Sequence, residues 1–133
     1  MAIFDFFSNN NAVALTADAC RERTITDVAR AYRALLRARR ERDFGDTGRP
    51  RTAKAQATLD PRVDRACDAL ARSVGRLATA KPELARIIRQ TLLADGAGQY
   101  QELLALATTD IGRRAVRDIR ASLTRAAKRT GAS

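Results

Sequence analysis

From Thr24 to Gly131 the apolar residues recur at intervals of three and four, and over no useful length at intervals of two. A strand with one buried face would alternate its apolar side chains at every second position, so the spacing points to helices and away from a sheet. The first run is Ile25, Val28, Ala29, Tyr32, Leu35 and Leu36, with Thr24 or Thr26 as cap. Asp27 lies in its first turn and Arg39, Arg40 and Arg42 in its last, the charge order that complements a helix dipole. Gly45 ends it.

Residues 45–58, GDTGRPRTAKAQAT, hold two glycines, a proline and no large apolar side chain, and are expected to form a basic loop. Asp60-Pro61 then reads as an N-cap followed by proline at the first helical position. The stripe Val63, Ala66, Cys67, Leu70, Val74 and Leu77 marks this second long helix. Lys81-Pro82-Glu83 opens a third, with Leu84, Ile87, Ile88 and Leu92 inward and Gly96 past its end. A short fourth helix near Gln99–Ala107 buries Tyr100, Leu103 and Leu104. Thr108-Thr109-Asp110 caps the last, whose inner face is Ile111, Ala115, Val116, Ile119, Leu123 and Ala126, with Gly131 at its C-terminal stop.

At 133 residues the chain suits one domain. Hydrophobic residues make up 45% of it, much of this alanine, and aromatics only 5%, so the helices are expected to pack closely around a thin core. The expected architecture is all-α, a single-domain bundle of about five helices over residues 16–133, preceded by a hydrophobic arm at 1–15.

Enzymatic chemistry finds little support. The chain has no histidine, which removes the commonest general base and metal ligand. Cys20 and Cys67 stand apart and read as free thiols. Neither a GxxxxGK[ST] phosphate loop nor a GxGxxG fingerprint occurs. Asp60, Asp64 and Asp68 follow one another along a helix face as a divalent-metal site requires. Arginines interleave with them, however, and Asp68 reaches Arg72 four residues on, an ordinary helix ion pair. The expectation is a non-catalytic protein with no cofactor and no bound metal.

The charge is more informative. The net value is +10, which favours an anionic partner such as nucleic acid, a membrane surface or an acidic protein. Only Lys54, Lys81 and Lys128 among the 25 basic residues are lysine. Such an arginine excess has a second source in a GC-rich genome.

Half of the net charge lies in the last helix, where Arg113, Arg114, Arg117, Arg120, Arg125, Lys128 and Arg129 occupy the side opposite the apolar stripe, broken only by Asp110 and Asp118. That face is about 24 Å long, enough to follow several phosphates. A second basic patch combines Arg37, Arg39, Arg40 and Arg42 with Arg49, Arg51 and Lys54. Within it Gly48-Arg49-Pro50 resembles part of an AT-hook, whose Arg-Gly-Arg-Pro core lies in the minor groove of AT-rich DNA, with Thr47 standing here in place of the first arginine. Tyr32 and Tyr100 fall on apolar helix faces and read as core, so contact with the phosphate backbone is expected rather than base stacking.

The arm is the other candidate site. Wound as a helix, IFDFF groups Ile3, Phe6 and Phe7, with Phe4 at the edge and Asp5 opposite. Residues 1–7 resemble the short N-terminal membrane-targeting helix of the bacterial division-site specificity factor. The side chains of residues 1–18 carry only Asp5 and Asp18, and the first arginine is Arg21, a poor match to anionic lipid. The segment is therefore expected to fill a groove in its own core or to dock on a neighbouring subunit or partner protein, with a peripheral membrane role third. No run of about 20 apolar residues spans a membrane and no signal-peptide pattern opens the chain, so a cytoplasmic location is expected, or a virion assembled there. The functional expectation is a binding or assembly protein that engages an anionic polymer, DNA first, through its basic helix faces. The alternative is a structural adaptor of an oligomeric assembly, such as a phage virion, docking through Ile3, Phe4, Phe6 and Phe7.

Overall fold

A computed structural model describes residues 23–45 and 48–131. The described residues form an all-α bundle of five helices: α1 Arg23–Asp43, α2 Ala53–Ala80, α3 Pro82–Leu92, α4 Ala94–Leu106 and α5 Asp110–Arg129. Among these residues there is no strand, and Phe44 and Pro50 meet in one isolated antiparallel bridge. The arm at 1–15 lies outside the described residues, and with it Ile3, Phe4, Phe6 and Phe7.

Neighbouring side chains fix the helix directions. Arg42 near the end of α1 reaches Asp60 near the start of α2, so these two helices are antiparallel. Thr109 meets Asp64 and Arg129 meets Ala78, so α5 runs alongside α2 in the same direction. Arg89 of α3 bonds Thr124 of α5, and Ala105 of α4 returns to Arg39. The path is therefore up, down, up, down, with α3 and α4 together forming the third rod.

That rod is broken for a local reason. Asp95, Gly96 and Ala97 have φ of 52°, 80° and 63°, three successive left-handed residues that interrupt the right-handed ladder. Glycine takes this conformation without a steric cost, whereas Asp95 and Ala97 do so against their Cβ atoms. The right-handed part of α4 thus covers 98–106, close to the helix expected around Gln99–Ala107.

One core joins the helices. Leu35, Val63, Leu70, Leu77, Ile88, Val116, Ile119 and Leu123 are almost fully buried, each contributing about 2 kcal/mol of burial. Proline at the start of α3, Thr109 at the cap of α5 and left-handed Gly131 after it all stand where the sequence puts them.

Three expectations are corrected. Residues 53–58 are helix rather than loop: Thr52 caps α2, its Oγ1 accepting from Ala55 N at 3.2 Å, and Pro61 lies inside the helix. The segment lacks large apolar residues because it overhangs the core, and its alanines favour helix all the same. Asp60 is accordingly not a cap. Finally, Ile111 is 69% exposed and Ile87 43%, so neither belongs to the inner face. In α5 the inward position belongs to Gly112, where a Cβ would lie 3.1 Å from Asp64 Oδ1, 3.2 Å from Ala107 Cβ and 3.4 Å from Cys67 Sγ. Hydrogen makes that close approach of α5 to α2 possible.

Candidate functional site

The last helix carries the main candidate surface. Its buried residues are Gly112, Ala115, Val116, Ile119, Leu123, Ala126 and Ala127, which leaves the arginines to the outer half of its circumference. Arg113 Nη2 pairs with Asp110 Oδ1 at 2.6 Å, holding the Asp110 carboxyl below its ordinary value. The other six cations differ. Among the described residues no carboxylate lies within ion-pair distance of Arg114, Arg117, Arg120, Arg125, Lys128 or Arg129.

Where these side chains have partners, the partners are neutral. The Arg120 guanidinium sits over the Tyr100 ring, 5.2 Å from its centroid, a contact that places the charge without cancelling it. Arg125 Nη2 donates to Ser122 Oγ at 3.2 Å and Arg129 Nη2 to the carbonyl of Ala78 at 2.7 Å. On the α3 side Arg89 Nε donates to Thr124 Oγ1 at 3.0 Å, adding a cation at the edge of the face that the sequence did not single out. Asp118 is exposed on this face and makes no ion pair among the described residues.

The second patch has a different character. Arg42 Nε donates to Asp60 Oδ1 at 2.6 Å and its Nη1 to Asp43 Oδ1 at 2.7 Å. Arg39 Nε donates to Asp43 Oδ2 at 2.9 Å, and its Nη1 to the carbonyls of Ala105 at 2.6 Å and Leu106 at 3.2 Å. Asp60 also accepts from Thr108 Oγ1 at 2.8 Å, while Asp64 accepts from Thr109 Oγ1 at 2.6 Å. This network ties the end of α1 to α2, to the last carbonyls of α4 and to the start of α5. Burial pushes the Asp60 carboxyl up, but the Arg42 guanidinium and the Thr108 hydroxyl outweigh it and hold the group below its usual value.

The aspartate series is thereby assigned. Asp60 and Asp64 accept bonds across the bundle, and Asp68 pairs with Arg72 at 2.5 Å, the helix pair read from the sequence. Cys67 is a free buried thiol, pushed up to about 11 by burial and by the nearby Asp64 charge.

Loop residues complete the picture. Arg51 Nε donates to the carbonyls of Glu41 at 2.7 Å and Phe44 at 3.2 Å, so this guanidinium caps the C-terminal end of α1. Arg49 and Lys54 are exposed. Because Asp60 and Asp64 already meet the start of α5, these two residues lie on an overhang beyond it. The structure does not bring Arg49, Arg51 and Lys54 onto the α5 face. The AT-hook-like triplet Gly48-Arg49-Pro50 forms part of a closed turn, with Gly45 N bonded to Arg49 O at 3.1 Å and Arg51 N to Asp43 O at 2.9 Å.

Among the described residues no helix is long and apolar enough to cross a membrane. Comparisons with protein-family models, with curated proteins and with solved structures found no match.

Proposed function

We propose that this is a non-catalytic DNA-binding protein that holds the phosphate backbone along the outer face of α5. The observation that supports this reading is the row of six cations, Arg114 to Arg129, with no carboxylate partner among the described residues. The cations on this helix outnumber its two carboxylates, Asp110 and Asp118, and repel each other, and a polyanion relieves that repulsion. The row covers about 22 Å, the length of about six phosphates on one strand. Arg120 and Arg129 are held in place by Tyr100 and the Ala78 carbonyl, which lowers the entropy lost on binding.

Backbone contact of this kind leaves a definite signature. Counterion release by about six phosphate contacts gives a slope of about −5 when log affinity is plotted against log salt concentration. Measuring duplex binding by fluorescence anisotropy across a salt series tests this. Affinity that ignores salt, or that survives removal of the α5 charges, sinks the proposal.

A further inference from the structure

We infer that the cleft at the end of α1 binds an unpaired base of single-stranded DNA, stacking it on Phe44 while Arg37 and Arg40 hold its phosphates. This rests on the polyanion reading and adds to it a second site of different chemistry. Phe44 follows Arg40 by four residues and Arg37 by seven, and the fold sets all three around one cleft at the end of α1. Phe44 is 41% exposed, which is unusual for a large aromatic, and it lines a cleft of about 610 Å³ together with Arg37, Arg40 and Arg51. That size suits a small ligand group.

Three features point to a base with its phosphates. First, the aromatic ring is exposed on a fixed backbone. Phe44 N bonds to Arg40 O at 2.9 Å, Phe44 O accepts from Arg51 Nε, and the bonds from Arg51 N to Asp43 O and from Gly45 N to Arg49 O close the turn around it. Second, Arg37 and Arg40 are exposed, and among the described residues neither side chain makes a hydrogen bond or ion pair. They stand three residues apart on one helix face, beside an aromatic plane. Third, the one carboxylate among the lining residues, Glu41, has a countercharge outside the cleft in Arg62 of α2, 4.0 Å distant, so the guanidiniums of Arg37 and Arg40 outnumber it at the cleft. A flat apolar surface flanked by free guanidiniums is the pairing that single-strand sites use, with stacking on the ring and charge on the backbone. A duplex keeps its bases stacked on each other and has no face to offer Phe44.

The test is binding of the full chain to three labelled probes of about 20 nucleotides at one salt concentration: oligothymidylate, the same strand with abasic sites, and a duplex. Phe44→Leu keeps the side chain apolar and removes the aromatic face at a position outside the core, so a melting curve should confirm an unchanged fold. The expected result is an affinity for oligothymidylate lower by about tenfold, with the abasic strand and the duplex unaffected. Arg37→Gln with Arg40→Gln should weaken both single strands. Unchanged binding of oligothymidylate by Phe44→Leu, or an equal loss on all three probes, overturns the inference while leaving the α5 proposal in place. If the native chain binds none of the probes, both fall.

Discussion

The C-terminal end of α1 and the outer face of α5 are built from the same side chain, and the bundle uses it in opposite ways. At the end of α1, Arg39, Arg42 and Arg51 point at carboxylates and backbone carbonyls and hold three helix ends together, those of α1, α2 and α4. On α5, six cations have only neutral hydrogen-bond or ring partners, or none, among the described residues. The difference is one of position rather than residue type. The α1 end meets the exposed carbonyls of α4 and the aspartates of α2, groups that need donors in a half-buried place. Among the described residues the α5 face meets one such group, the Ala78 carbonyl in the last turn of α2, which Arg129 alone engages. A count of arginines therefore overstates the binding surface, and partner chemistry separates structural guanidiniums from available ones.

Removing charge from each region should produce different losses. The largest effect is expected from α5: replacing Arg114, Arg117, Arg125 and Lys128 together with glutamine should lower duplex affinity by about a thousandfold in 0.1 M salt and flatten the salt slope by about four, with little change in urea midpoint. The converse holds at the other end. Arg42→Ala should cost about 2 kcal/mol of stability in urea unfolding, because it strips a close partner from Asp60, whose side chain is only 22% exposed. Duplex binding by that variant, measured below its unfolding midpoint, should change little. If instead Arg42→Ala abolishes binding at unchanged stability, the division between the regions is wrong.

A smaller loss, about 1 kcal/mol, is expected for Arg51→Ala, since two carbonyls at the end of α1 lose a charged donor, while the exposed Arg49→Ala should be neutral in the same assay. The finest distinction lies in acid. Asp60 titrates below its ordinary value of 3.8 in the folded state, so on acidification the unfolded chain takes up the proton first. Its stabilising contribution is complete above that ordinary value and is lost as pH falls through the lower folded one. Asp60→Asn should be less stable near neutrality yet show a shallower decline below about pH 4 in a series of thermal melts.

What the sequence displayed and what it concealed follow from the range of each interaction. Proline before α3, Thr109 before α5 and Gly131 after it act within one helical turn, and their spacing reveals them directly. The beginning of α2 was misread because the absence of large apolar residues signals distance from the core, not absence of helix. Thr52, a capping residue ahead of an alanine-rich run, was the signal that could have corrected it. Ile111 and Gly112 exchanged roles because the closeness of α5 to α2 is a tertiary distance that no periodicity records. Arg42 and Asp60 are 18 positions apart, so the network needed the turn of the chain to be seen, whereas Phe44 follows Arg40 by four residues and only its exposure required the fold. For α5, by contrast, the division into apolar and basic sides was legible apart from Ile111, since both sides belong to a single helix.

The left-handed turn at 95–97 also bears on how the bundle opens. It interrupts the ladder of amide bonds between α3 and α4, so each piece can unwind without pulling on the other. Only Tyr100 and Leu103 of α4 are buried, against Ala85, Ile88 and Leu92 in the shorter α3. Amide hydrogens within 98–106 should therefore exchange with solvent ahead of those of α2 and α5. The grip of Arg39 on the carbonyls of Ala105 and Leu106 then acts as a latch on the least anchored rod, and local opening of α4 begins when that latch lets go.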